Sequence, residues 1–244
     1  MIQIAHIETP FKEKFGVPRQ AGMVDYEARV VFEPEYRVAE AVRGLEEFDY
    51  VWLIWQFHLV KSEDGGRRSE VQDSALHPPI SDLNWSPTVR PPRLGGNRRV
   101  GVFATRSPFR PNSLGLSSVR LLRIEPGPVL VVSGADLVDG TPIYDIKPYI
   151  PYADSHPEAR SGFAPEGDDR RLEVVMDVAD AKIPSTVQKA LVEVLAHDPR
   201  PRYQDDPDRR YTMSFDRWEV AFTVDGKRLS VVDISEKMSP TVTK

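Results

Sequence analysis

Apolar and polar residues alternate with a period of two in many short runs along this chain, while helical periods are few. Ile2, Ile4 and His6 fall on one side and Gln3 and Ala5 on the other, which predicts an edge-like first strand ending at Thr9-Pro10. Ala28–Phe32 reads as a second strand. Tyr50–His58, Y-V-W-L-I-W-Q-F-H, is apolar on both faces, so it is predicted to be central, with its end delivering Gln56 and His58 to a rim. Val100–Thr105 reads as a short strand, and Ser117–Ile124 and Val129–Ser133 read as strands joined by the turn Glu125-Pro126-Gly127-Pro128. Strands are expected again at Leu172–Val178, at Tyr211–Trp218 leading into Val220–Val224, and at Leu229–Ile234 after the Asp225-Gly226 turn. Helical spacing occurs at Val38, Ala41, Val42 and Leu45, with Gly44 near the end. It is clearest at Pro184–Ala196, where Ser185 and Gln188 form a capping box and Val187, Leu191, Val194 and Leu195 a buried stripe.

Between these elements lie breaks that organise the chain. Pro157–Arg171, rich in Pro, Gly and charge, reads as a linker dividing a domain at residues 1–156 from a smaller one at residues 172–244, where helix and strand mix. Lys61–Ser86 is polar and aperiodic, and is expected to be a variable insertion or flap. The tail Glu236–Lys244 is expected to fray. The 22 prolines are spread along the chain, which favours short strands and ordered turns. With 244 residues and 40% apolar content, the chain can bury an ordinary core. It has no cysteine, which excludes disulfides, thiolate zinc sites and a cysteine nucleophile. His6, His58, His77, His156 and His197 are far apart, so no metal is expected. Neither a membrane-span pattern nor a signal-peptide pattern is visible, so a cytoplasmic location is the expectation.

Charge changes the picture most at Trp85–Ile124. That stretch holds eight arginines (Arg90, Arg93, Arg98, Arg99, Arg106, Arg110, Arg120 and Arg123) and no Asp or Glu, in a chain whose net charge is −5. Its prolines and glycines place most of these arginines on turns, where a planar guanidinium suits phosphate or carboxylate. A second basic tip occurs at Pro18-Arg19-Gln20. Asp136, Asp139 and Asp145, with Tyr144, Lys147 and Tyr149, form an acidic segment that reads equally as turn chemistry or as a source of a general base or cation contact. Short strands of this kind build a barrel or sandwich with such loops at one rim, and a basic rim fits a polyanion, with RNA the natural candidate. The glycine motifs of dinucleotide and P-loop sites are missing, so a nucleotide-like cofactor needs another kind of site.

Four motifs, in order, carry a family resemblance: P-R-Q at Pro18–Gln20, R-P-P-R-L-G-G-N…G-V-F-A-T-R-S-x-F-R-P-N at Arg90–Asn112, D-L-V-D-G-T-P…D-I-K-P-Y at Asp136–Tyr149, and D-P-R-P-x-Y at Asp198–Tyr203. Together they resemble the bacterial tRNA N6-methyltransferases that act on threonylcarbamoyladenosine next to the anticodon. The resemblance implies a mainly β protein with an N-terminal single-sheet β-barrel and a smaller α+β C-terminal domain that contributes to tRNA binding. It also implies S-adenosylmethionine as cofactor, and a homodimer with the cofactor near the subunit contact. On matching positions, cofactor contacts fall to Pro18, Arg19, Gln20, His58, Leu59, Arg106, Leu116, Asp136, Leu137, Val138 and Asp139. After His58 the family commonly has a polar residue and a short loop, where this chain has Leu59 and the longer Lys61–Ser86.

The nitrogen to be methylated is conjugated to a carbonyl and needs a base or acceptor for its proton. Asp139 is the first candidate, then Asp145 and His58, while Arg106 or Arg19 suits a carboxylate of cofactor or substrate. Arg90, Arg93, Arg98, Arg99, Arg110, Lys147, Arg200 and Arg202 are the expected RNA contacts. A non-catalytic RNA-binding barrel and a methyltransferase for a small metabolite are the alternatives.

Overall fold

A computed structural model describes residues 1–59, 85–91, 94, 98–164, 171–176, 183–200 and 206–237. Most of the expected Lys61–Ser86 insertion, Arg93, Arg202 and residues 238–244 of the tail lie outside the described residues. In chain order the elements are β1 (Ala5–Glu8), β2 (Glu27–Phe32), β3 (Tyr50–Gln56), β4 (Thr88–Val89), β5 (Val100–Gly101), β6 (Leu114–Glu125), β7 (Val129–Ser133), β8 (Thr141–Pro148), the single-turn helix α1 (Pro151–Asp154), β9 (Glu173–Val175), α2 (Ser185–Ala196), β10 (Tyr211–Phe215), β11 (Trp218–Asp225) and β12 (Arg228–Glu236).

Six strands close into a barrel in the order β1-β2-β7-β6-β3-β8. The first strand therefore has partners on both sides and is not an edge, with Ala5–Glu8 paired to β2 and Ala5–Ile7 to β8. Inside, alternate residues of each strand meet: Ile7, Val30, Val51, Leu53, Val119, Leu130, Val132 and Ile143 are essentially inaccessible. β3 is central, between β6 and β8, but only one of its faces is fully buried, since Trp52, Ile54 and Gln56 remain partly exposed on the outer wall. β7 is buried on both faces. Its outward Val131 lies opposite Arg29 of β2 and Arg123 of β6, and these two arginines pair with Glu8, Glu27 and Glu125 above it. Long charged side chains thus roof an apolar position with their stems.

Three local expectations are corrected. Val38–Leu45 forms two short 3-10 turns, Ala39–Val42 and Leu45–Glu47, because Arg43 is extended and Gly44 takes a left-handed conformation. Val100–Thr105 is a strand for two residues only, then a 3-10 turn, Val102–Ala104. It lies outside the barrel and, among the described residues, pairs only with β4. The α2 capping box does not form: Pro184 is the N-cap, Ser185 is already helical, and no side-chain cap bond is made among the described residues.

The C-terminal domain is a four-stranded sheet, β10-β11-β12-β9, with α2 burying Ala190, Leu191, Val194 and Leu195. Strand β12 runs on to Glu236, and Lys237 donates its main-chain N–H to the Arg217 carbonyl at 2.7 Å, so the tail is held further than expected.

Candidate cofactor and nucleic-acid site at the barrel rim

The antiparallel registers bring the ends of β1, β3 and β7 and the starts of β2, β6 and β8 to one mouth of the barrel. The described residues 9–26, 57–59, 85–91, 98–113 and 134–140 are therefore the rim, and the P-R-Q tip, His58, Arg90, Arg98, Arg99, Arg106, Arg110 and the first two acids belong to it, while Arg120 and Arg123 lie on β6. Two of these loops touch backbone to backbone. Gly22 donates to the Gly134 carbonyl at 2.8 Å, and a Cβ on Gly134, which has φ +79°, would sit 3.1 Å from the Gly22 Cα.

Asp136 is a partly buried acid of the rim. Trp55 Nε1 donates to Ser117 Oγ at 2.9 Å, and that hydroxyl donates to Asp136 Oδ1 at 2.5 Å, so a relay runs from the barrel interior into the loop. Gly115 makes room for the indole, since a Cβ there would lie 2.2 Å from the Trp55 ring. Burial raises the Asp136 pKa from its ordinary value; the Ser117 hydroxyl, main-chain N–H groups of Asp136 and Ala21 and the charge of Arg106 pull against it. Beside it, buried Tyr26 donates to the Ala135 carbonyl at 2.5 Å, and burial and the Asp136 charge push the phenol upward. Across the rim, Arg106 is exposed and donates to the Gln20 side-chain oxygen.

Asp139 sits in the same loop with both oxygens engaged: Oδ1 accepts the Thr9 main-chain N–H at 2.9 Å, and Oδ2 pairs with Lys12 Nζ at 2.7 Å. His58 stands over the start of β8, where its Nδ1 lies 3.3 Å from Thr141 Oγ1. The Thr141 hydroxyl spends its single proton on the Val138 carbonyl at 2.6 Å, so Nδ1 must be the donor and Nε2 carries the lone pair. Burial lowers the His58 pKa from its ordinary value, with the Asp139 charge opposing, which favours the neutral ring.

Asp145 is elsewhere. It lies on the outer wall opposite Ile54, accepting from its neighbour Ile146 N at 2.9 Å and pairing with Lys147 at 2.9 Å. That wall also exposes Tyr50 and Leu116, while the Leu137 side chain is buried in the core, leaving only its main chain for a ligand. Leu59 is half exposed at the rim and Pro18 is buried.

The arginines divide. Arg90 and Arg98 are exposed. Arg99 reaches Thr88 Oγ1 at 2.8 Å and the Thr88 carbonyl at 2.7 Å, tying β5 to β4. Arg110 donates to the Thr105 carbonyl at 2.7 Å and lies over the Phe103 ring. Arg200 overturns its expected role as a phosphate contact: it is 7% exposed and grips Asp198 with Nε and Nη2 at 2.9 and 3.0 Å. Arg19 turns toward the C-terminal domain, where it donates to the Asp198 and Arg200 carbonyls. Residue type alone did not single out Trp55, Ser117, Tyr26, Lys12 or Thr141. The one available signal was Ser117, a small polar residue on the inward face of a strand, in line with Val119 and Leu121.

Residues 6–155 match the profile of the tRNA-methyltransferase O N-terminal domain, and residues 171–237 that of the TrmO C-terminal domain. The chain is 41% identical over 213 residues to the tRNA (adenine(37)-N6)-methyltransferase of Escherichia coli K12, covering 83% of this chain and 82% of that protein. It is 51% identical over 182 residues to the protein of the same name from Eikenella corrodens, covering 73% of this chain and 92% of that one. A crystal structure of TrmO from Pseudomonas aeruginosa aligns with a TM-score of 0.69 at 30% identity, over 96% of this chain and 97% of that chain.

Proposed function

Because the chain belongs to the tRNA-methyltransferase O family, we propose that it transfers a methyl group from S-adenosylmethionine to N6 of a threonylcarbamoylated adenosine beside the anticodon of tRNA. It is a tRNA adenine-N6 methyltransferase; the cofactor and the threonylcarbamoyl substrate are the finer parts of the reading. The observation that carries them is the rim's pairing of a partly buried carboxylate, Asp136, with an exposed guanidinium, Arg106, each on a loop hydrogen-bonded to the P-R-Q loop, through Gly22 and Gly134 on one side and Gln20 and Arg106 on the other.

The residues fit the cofactor. Asp136 would face its cationic groups, Arg106 a carboxylate, and the half-exposed Leu59 its apolar surface, with main-chain groups of Pro18–Gln20 and Leu137–Asp139 alongside; Leu116, on the outer wall opposite Ile54, stands apart from them. When bound, it supplies an electrophilic methyl on a sulfonium. The chain's own part is to orient the acceptor nitrogen and take its proton. His58 suits the base role through Nε2, because Nδ1 is committed to Thr141 and partial desolvation favours the neutral ring. Asp139 holds the Thr9–Lys12 segment in place, and Asp145 stands on the outer wall, so both rank below His58.

Arg106 serves the cofactor's carboxylate or the substrate's threonyl carboxylate. In the second case unmodified adenosine leaves the guanidinium unpaired, a loss on the order of 2–5 kcal/mol. Arg90, Arg98 and Arg110, with Lys147, are proposed to hold phosphates. The apolar patches of the outer wall at Tyr50, Ile54 and Leu116 support a homodimer, checked by light scattering. A tRNA substrate is consistent with the cytoplasmic location proposed here.

The test is mass spectrometry of nucleosides from threonylcarbamoylated and unmodified tRNA incubated with protein and S-adenosylmethionine. A methyl group on the modified adenosine alone is expected, and methylation of both substrates at equal rates would refute the selectivity.

A further inference from the structure

The turn Asp198–Arg200 after α2 has no place in the chemistry above, yet it is closely tied together. Asp198 leaves the helix in a left-handed conformation, φ 49°, and accepts from its own neighbour: Arg200 N at 3.2 Å, Nε at 2.9 Å and Nη2 at 3.0 Å. The Arg200 guanidinium is buried and lies 5.9 Å from the centre of the Tyr211 ring. This knot fixes the direction of two main-chain carbonyls, those of Asp198 and Arg200. Both point at one nitrogen, Arg19 Nη2, at 3.0 and 3.1 Å. Arg19 lies between buried Pro18 and Gln20, and Gln20 in turn receives Arg106.

The rest of the same loop is also seated on the C-terminal domain. Phe11 packs edge-on against Phe215 at 5.4 Å, and Phe15 stacks on Phe222 at 6.4 Å. Gly16, at φ +94°, lies against Met213, whose terminal methyl would sit 2.5 Å from an added Cβ. The Ser214 N–H donates to Glu13 at 3.1 Å, and the Asp216 N–H to the Pro10 carbonyl at 2.6 Å. A loop without regular structure of its own takes its shape from what it rests on.

We propose that Asp198 and Arg200 are positioning residues: they brace the P-R-Q tip from the second domain through Arg19, and so set the placement of Gln20 and Arg106 in the cofactor site. The C-terminal domain thereby acts on cofactor affinity without touching the cofactor. This rests on the cofactor reading given above.

The experiment compares full-length protein with Arg19→Ala, Arg200→Met and the double variant, by calorimetric titration of S-adenosylmethionine and by hydrogen exchange without it. Each single variant is expected to weaken cofactor binding about tenfold, and the double variant no more than the stronger single one, because both break one chain of contacts. Amides of Phe15–Gln20 should exchange faster in all three, while those of β11 keep their protection. The slope of tRNA affinity against salt should stay unchanged in Arg200→Met. Cofactor binding within twofold of the unmodified protein in Arg19→Ala, which alters an exposed side chain and keeps the fold, overturns the brace. So does a salt slope lowered by roughly 0.7–0.9 in Arg200→Met with cofactor affinity intact, which would make Arg200 a phosphate contact. Should the unmodified protein fail to bind the cofactor, the proposed function falls, and the exchange experiment still decides the brace.

Discussion

The outer wall over β7 and the rim of the same barrel both carry charge, and they treat it in opposite ways. On the wall, Arg29 and Arg123 share Glu8, Glu27 and Glu125, and hydrogen bonds from the arginines hold the Glu27 and Glu125 pKa values below their ordinary range. At the rim, Asp136 is partly buried, which raises its pKa, and Arg106 donates to a neutral amide oxygen. Five groups that compensate one another in water do little besides covering Val131. Charge that folding leaves poorly compensated is what a charged ligand can complete. The number of ionic groups is thus a poor guide to a site, and the state of their compensation a good one.

That contrast can be broken at several points. The largest effect is expected from His58→Ala, which should lower kcat/KM by roughly 10²–10⁴-fold with the melting temperature nearly unchanged. A pH profile sharpens it. With His58 as the proposed base only the neutral ring can take the proton, and its pKa is lowered, so activity should hold through neutrality and fall only as pH drops below the ordinary imidazole value, a limb that His58→Ala removes. Next, Arg106→Ala should cost on the order of 2–5 kcal/mol in whichever carboxylate it serves. Loss of S-adenosylmethionine affinity by calorimetry assigns it to the cofactor, and loss of discrimination against unmodified tRNA assigns it to the substrate.

Ser117→Ala should cost about 1–3 kcal/mol, because the buried Trp55 N–H loses its acceptor, and should lower the melting temperature together with cofactor affinity. Gly115→Ala should act the same way by displacing the indole. Removing Arg90 or Arg98 should leave the chemistry intact and reduce the salt slope of tRNA binding by roughly 0.7–0.9 each. The smallest effect belongs to the wall: Arg123→Ala should change the melting temperature slightly, by an amount that added salt erases, with no change in turnover. A large loss of activity there would collapse the contrast.

Much of the barrel was legible because its strands alternate, as Ala28–Phe32 and the Ser117–Ser133 hairpin show. His58 was placed correctly because a strand end must deliver its last side chains to a rim. Pattern failed where partners decide. Val100–Thr105 has the composition of a strand but lies outside the barrel, with two residues of β4 to pair with. Arg200 has the composition of a phosphate contact but is enclosed by its own neighbour two positions back. Ser117 is chemically ordinary and matters only because Trp55 and Asp136 arrive on either side of it, from positions 62 residues earlier and 19 later. Sequence spacing cannot express that meeting.

The hydrogen bonds that join the first rim loop to the last strands also set an order of events during synthesis. Thr9 waits for Asp139, 130 residues downstream, and Pro10 waits for Asp216 in the second domain. A nascent chain holds the P-R-Q tip from the start but cannot shape it until β8 has closed the barrel and the β10–β11 turn has emerged from the ribosome. The first rim loop is therefore shaped only after Asp216 has been made, and a chain stopped before it carries the rim arginines beside a P-R-Q tip that nothing yet holds.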